Sequence, residues 1–264
     1  MSDGQLDLFS RSGVPPPAQA PPVERRPRPV PAELDDADLL AAIPASVLTD
    51  GPLLAAEAGR RGLAAAIPIL EDYCRRFAGF GMQRALPEQI AALNALAAIG
   101  GPEAALGVAR IIDRGWVQGP TLATAVAAAT QLGSHLPAQT VLALLRHADP
   151  AIRGNACRLA RAAPDVITTL VDLLGDLRSE IRLEAACALA RMGHAEAAPL
   201  LKQALREAAS RHVIEAIPPI ADDECIVLLG RTARASPDMA VAALDALEAI
   251  EAPLAARLLE RLRE

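Results

Sequence analysis

The sequence predicts an all-α solenoid of about six helical hairpins over residues 68–264, preceded by a helical cap at 32–67 and a disordered, proline-rich tail at 1–31. Three observations lead there. Ala and Leu dominate the long middle of the 264-residue chain while aromatics supply 2% of it, a mixture that favours helix over the β-branched and aromatic content of strands. The middle also repeats itself at a fixed spacing, and a cluster of prolines sets it apart from the first residues. With 52% hydrophobic residues the chain has ample material for a core.

The tail comes first. Between Ser10 and Pro31 stand Pro15, Pro16, Pro17, Pro21, Pro22, Pro27, Pro29 and Pro31. Each removes a backbone donor and biases its predecessor towards extended conformations, so no helix is expected there. The segment reads as an extended linker with polyproline II character, reaching on the order of 60 Å at about 3.1 Å per residue. Residues 32–67 then contain Asp35-Asp36-Ala37-Asp38-Leu39-Leu40 and Pro52-Leu53-Leu54, which read as helices capping the repeats.

The repeat is clearest in two units. Leu144-Leu145, Ile152-Arg153 and Cys157-Arg158-Leu159-Ala160-Arg161 reappear as Leu173-Leu174, Ile181-Arg182 and Cys187-Ala188-Leu189-Ala190-Arg191, spaced 29, 29 and 30 residues apart. That period holds two short helices and their turns. Asp149-Pro150 has the chemistry of an N-cap with proline in the first turn, Ser179 stands where it can cap the equivalent helix, and Gly193 suits the left-handed residue beyond a helix end. Looser copies close at Leu96-Ala97-Ala98-Ile99-Gly100, Gln131-Leu132-Gly133 and Leu247-Glu248-Ala249-Ile250. The unit around Ser210-Arg211-His212-Val213 departs from the pattern, and Pro218-Pro219 should interrupt its second helix. The final helix, from Pro253 on, is rich in charge, as a closing face requires.

The Leu-Leu, Asp-Pro-Ala-Ile-Arg and Cys-Arg-Leu-Ala-Arg pattern of residues 144–161 resembles a HEAT repeat, of the short kind shared with phycobilin lyase-like proteins. The resemblance covers most of residues 68–264, strongly in two units. It implies that Asp149 and Arg153, and likewise Asp176 and Arg182, link neighbouring repeats. Stacked hairpins bury a continuous core and align their inner helices on an extended concave surface, so binding is the expected role. Candidate positions on the second helices are Arg153, Asn155, Arg158, Arg161, Arg182, Glu184, Arg191, Arg211 and Glu215. Solvated or inter-repeat charge is the plainer account of any one of them.

Gln5-Leu6-Asp7-Leu8-Phe9 resembles the peptide by which many bacterial proteins dock on the replicative DNA polymerase sliding clamp, and agrees with its preferred form at all five positions. The resemblance implies that Gln5 makes polar contacts in a small subsite while Leu8 and Phe9 fill an apolar pocket. One polar and two large apolar anchors concentrate binding energy in a few side chains, as interface hot spots do. Placed ahead of a long linker, the motif is displayed away from the body. A chance match, or packing of Leu6, Leu8 and Phe9 back on the solenoid, is the competing account.

The implied protein is a bacterial, cytoplasmic, non-catalytic adaptor in DNA replication or repair. It needs no cofactor and no metal, has protein partners, and has no membrane association. The net charge of −6 argues against a surface-wide footprint for nucleic acid. Phosphate-binding glycine loops, H-E-x-x-H, G-x-S-x-G and paired zinc-ligand spacings are all lacking. His135, His147, His194 and His212 are scattered near expected turns. Cys157 and Cys187 recur within apolar stretches, which reads as small core residues, and Cys74 and Cys225 stand apart without C-x-x-C pairing. Gly79-Phe80-Gly81 and Asp113-Arg114-Gly115-Trp116 read as turn anchors, with Trp116 open to a partner-contact role. HEAT-like solenoids also include phycobilin lyases and an alkylpurine DNA glycosylase. The acidic balance and scarcity of aromatics speak against the second, and no residue here is tied to a bilin. A general scaffold unrelated to the clamp is the remaining alternative.

Overall fold

In a computed structural model, described for residues 30–46 and 49–263, the chain forms fifteen α-helices joined by short turns, with no strand among those residues. The tail, including Gln5–Phe9 and all but the last residues of the proline-rich linker, lies outside them.

The helices pair in order as α1 (Asp36–Ala45) with α2 (Gly51–Arg60), α3 (Ile67–Arg76) with α4 (Pro87–Ile99), α5 (Gly101–Asp113) with α6 (Pro120–Leu132), and α7 (Ala138–Leu145) with α8 (Pro150–Leu159). They continue as α9 (Pro164–Leu173) with α10 (Ser179–Arg191), α11 (Ala198–Glu207) with α12 (Arg211–Ala216), and α13 (Asp223–Ala235) with α14 (Pro237–Glu248); α15 (Pro253–Arg263) closes the stack. Each even helix packs on the next even one, from α2 through α14, and odd helices contact odd ones, as α3 does α5 and α13 does α15. The result is a two-layer α-solenoid, with six hairpins between α3 and α14.

Local chemistry places the boundaries. Proline opens α4, α6, α8, α9, α14 and α15, where a missing N–H costs nothing and φ is already helical. The Asp149 carboxylate accepts from the Ala151 N–H at 2.8 Å and caps α8, and Asp222 caps α13 through the Cys225 N–H at 3.0 Å. Ser179 does not cap α10. It is the first residue of the helix: the N-cap position falls to Arg178, which makes no side-chain cap bond, and the Asp176 carboxylate, three residues before Ser179, takes the Arg178 N–H at 2.9 Å in the preceding turn. At the other end of α10, Gly193 has φ of 82°, a left-handed conformation that disfavours side chains.

The core runs between the layers without a break. On α10, residues 185–190 are all buried, the state of a helix enclosed by neighbours on every side. Cys74, Cys157, Cys187 and Cys225 are buried free thiols, and burial pushes the first three up to about 12. Trp116 packs half-buried against this core, and its carbonyl accepts from the Gln89 amide at 2.8 Å. Pro218–Ile220 forms a short 3-10 turn that ends α12 after six residues, the interruption that the proline pair imposes.

Phe80 is not a turn anchor. Tyr73 and Phe77 already meet edge to face at 5.2 Å beneath the turn, and Gly79, with φ of 85°, directs the chain outward, leaving Phe80 72% exposed.

Candidate functional site

The even helices α6, α8, α10 and α12 present a cleft of about 550 Å³ lined by the basic side chains of Arg158, Arg161, Arg191 and His212. It lies along helix C-termini: Gly133 and Ser134 follow α6, Leu159 to Ala162 end α8, and Arg191 and Met192 end α10. Cations are favoured at such ends because the last carbonyls lack partners. The Arg191 guanidinium donates to the Cys157 carbonyl at 3.4 Å, spanning two repeats. Arg161 is exposed and has no hydrogen-bond or ion-pair partner among the described residues.

One carboxylate organises the rest. Glu184, on α10 and with its side chain 16% exposed, takes both Arg158 from α8 and His212 from α12. The Arg158 contact is bidentate, with Nε at 2.9 Å and a second, shorter bond from the other nitrogen; His212 Nε2 lies 3.0 Å from the same carboxylate. Burial alone raises the Glu184 carboxyl, and the bonds from Arg158, with the close approach of His212, more than reverse this, holding it down to about 2. The same contact raises the Arg158 guanidinium. Three consecutive units are thereby tied through one side chain.

The nine candidate positions therefore separate. Arg158, Arg161 and Arg191 line the cleft; Asn155 and Glu184 share a shallower depression beside it, where the Asn155 amide donates to the Ala151 carbonyl at 3.0 Å. Arg211 and Glu215 are exposed on α12 outside the cleft. Arg153 faces the turn: it donates to the His147 and Ala148 carbonyls at 2.9 Å each and pairs with Asp176 at 2.9 Å. The link between these units runs through Arg153 and Asp176, because Asp149 serves its own helix as a cap and Arg182 returns to the carbonyls of Asp176 and Leu177.

His212 was legible in sequence only as a turn histidine; its role needs Glu184, 28 positions away. The cleft can bind carboxylate or phosphate through bidentate guanidinium contacts. Among the described residues no group of three or more His, Cys, Asp and Glu side chains is placed to hold a metal ion, and no helix is long and apolar enough to cross a membrane.

Together the two-layer stack and the cross-repeat arginines define a helical repeat protein. Residues 137–217, from the turn before α7 to the end of α12, match a family model described as HEAT repeats. A search of the curated proteins finds no match. Among solved structures, human deoxyhypusine hydroxylase in complex with glycerol is similar over 85% of this chain and 84% of that one, with 20% identity and a TM-score of 0.34. Likeness of that size bears on neither the architecture nor the chemistry of this chain.

Proposed function

We propose that the protein is a non-catalytic adaptor that docks on the bacterial sliding clamp through Gln5–Phe9 and holds a partner protein on the even helices, at the arginine cleft. The observation that carries the clamp assignment is the agreement of Gln5-Leu6-Asp7-Leu8-Phe9 with the clamp-binding peptide at every position. Its separation from the repeats by a proline-rich stretch supports it, since a docking peptide needs reach. For the partner, the unpaired Arg161 and the lightly held Arg191 favour an acidic protein segment, which two adjacent guanidinium groups grip through carboxylates.

Gel filtration of the full chain with the purified clamp of its own organism tests this. The two co-elute, and the Leu8→Ala, Phe9→Ala variant elutes apart from the clamp. Separate elution of the wild-type chain would leave a general HEAT-repeat scaffold without a clamp tether.

A further inference from the structure

A second recess lies at the C-terminal end of α3, far along the stack from the arginine cleft. Arg76, Phe77, Phe80, Arg84, Leu86 and Pro87 line a trough of about 660 Å³, and Arg76 also borders an adjoining hollow of about 440 Å³ beside Pro44 and Tyr73. Its floor is apolar. Phe80, in its lining, is 72% exposed, and Met82, two residues further along the chain, is 65% exposed, in a protein with three phenylalanines and four methionines in all. Large apolar side chains held out together mark binding surfaces.

The rim is positive. Arg84 has no hydrogen-bond or ion-pair partner among the described residues, and Arg76 donates only to the Pro44 carbonyl, at 2.9 Å, while lying 5.8 Å over the Phe77 ring. Glu88, in the first turn of α4 and 7% exposed, also lines the trough, and Asp72 in the adjoining hollow pairs with Arg75 at 2.8 Å, so Arg76 and Arg84 against Glu88 leave the trough with one net positive charge. An occupant that fits combines negative charge with bulky apolar anchors.

This chain carries such a segment. Asp3 and Asp7 alternate with Leu6, Leu8 and Phe9 in a stretch that has no basic residue before Arg11. We infer that residues 3–9 dock in cis in the Phe77–Phe80–Arg84 trough, with Leu8 and Phe9 against its apolar floor and Asp7 facing Arg84 or Arg76. The connection is long enough. The described chain begins at Val30, and Arg61 holds the Pro31 carbonyl at 3.0 Å, five residues before α1 starts at Asp36; Arg76 of the trough holds the carbonyl of Pro44, in the last turn of α1. The ten residues of α1 account for roughly 15 Å of that separation along its axis, and the five before it for a short further step. The 21 residues from Phe9 to Val30 reach on the order of 60 Å at about 3.1 Å per residue, which covers that separation.

The consequence for the clamp rests on the function proposed above: docking in cis and docking on the clamp bury the same side chains, so the trough competes with the clamp and lowers its apparent affinity. The cis docking itself is independent of the clamp.

A fluorescein-labelled peptide of residues 1–12 tests the inference by anisotropy, using full-length protein throughout. The Leu8→Ala, Phe9→Ala chain has a vacated trough and binds the peptide. Wild type binds it at least about tenfold more weakly, because a tethered copy acts at an effective concentration near the millimolar range. Adding Arg84→Glu, an exposed change that leaves the core untouched, to the vacated chain weakens peptide binding again. Equal binding by wild type and the vacated chain, or binding by neither, overturns the inference. Blocking seen only at concentrations where wild type dimerises assigns the trough to the segment of a second copy and overturns the cis arrangement. If cis docking holds and the clamp still fails to bind even the Phe80→Ala, Arg84→Glu chain, the clamp assignment alone falls.

Discussion

Replacing Glu184 by Gln removes the charge that joins α8, α10 and α12 while keeping the side chain's size. The carboxyl is held at about 2 against an ordinary value of 4.5, which at 1.36 kcal/mol per pH unit sets a ceiling of about 3.4 kcal/mol. Arg158 is 45% exposed, so solvent screening reduces the net contribution to roughly 1–2 kcal/mol. For a chain of this size each kcal/mol moves Tm by roughly 2–4 °C, so the variant should melt about 2–8 °C lower at pH 7. The folded-state value is depressed, so the stabilisation is fully present above about pH 4.5 and is lost as pH falls towards about 2. Thermal melts of wild type and Glu184→Gln across pH 2–7, followed by circular dichroism, should therefore converge in acid. Equal Tm values at pH 7, or a gap that persists unchanged to pH 2, would refute the ion-pair account. An Arg158→Ala, Glu184→Ala cycle should return a coupling of about 1 kcal/mol.

Three further outcomes follow from the packing. Arg153→Ala leaves Asp176, whose side chain is 9% exposed, without its guanidinium and frees two carbonyls, so urea unfolding should report a loss of about 2–3 kcal/mol; a loss under 0.5 kcal/mol would place the inter-repeat link elsewhere. At Gly59, an added Cβ would come within 2.7 Å of the Ala95 Cα on α4, so overpacking of about 1–3 kcal/mol should outweigh the helix-propensity gain of roughly 1 kcal/mol. A Gly59→Ala chain more stable than wild type in the same titration would show that α2 and α4 have room to part. The four buried thiols, all raised by burial, should resist a thiol-reactive dye in native protein and react in guanidinium; rapid native labelling of Cys157 or Cys187 would contradict their place in the core.

The repeats are legible in sequence because the signal is local. Leucine pairs, Asp149-Pro150 and the Cys-x-Leu-Ala-Arg strings each state a helix face or an end within a few residues. Pro218-Pro219 likewise announces the end of α12, whereas the cap expected at Ser179 falls one residue earlier, at Arg178, because Ser179 is already the first residue of α10. The candidate site was less legible. Arg158, Arg161 and Arg191 stood out as surface positions, but only stacking at the C-termini of α8 and α10 makes them one cleft. His212 gains meaning from Glu184 in the preceding unit, a contact fixed by helix offset and invisible to periodicity. Phe80 misled for the opposite reason: an aromatic between glycines reads as a plug, and nothing local reveals that Phe77 has already filled the space.

The central claim is that the tail, and not the arginine cleft, holds the clamp, and calorimetric titration of the clamp with three full-length chains tests it most directly. Wild type and Arg161→Glu, Arg191→Glu should bind with the same affinity, while Leu8→Ala, Phe9→Ala should lose at least about a hundredfold, as removal of two anchor side chains at roughly 2 kcal/mol each implies. Clamp binding that survives the tail substitutions and disappears with the two arginines would contradict the account.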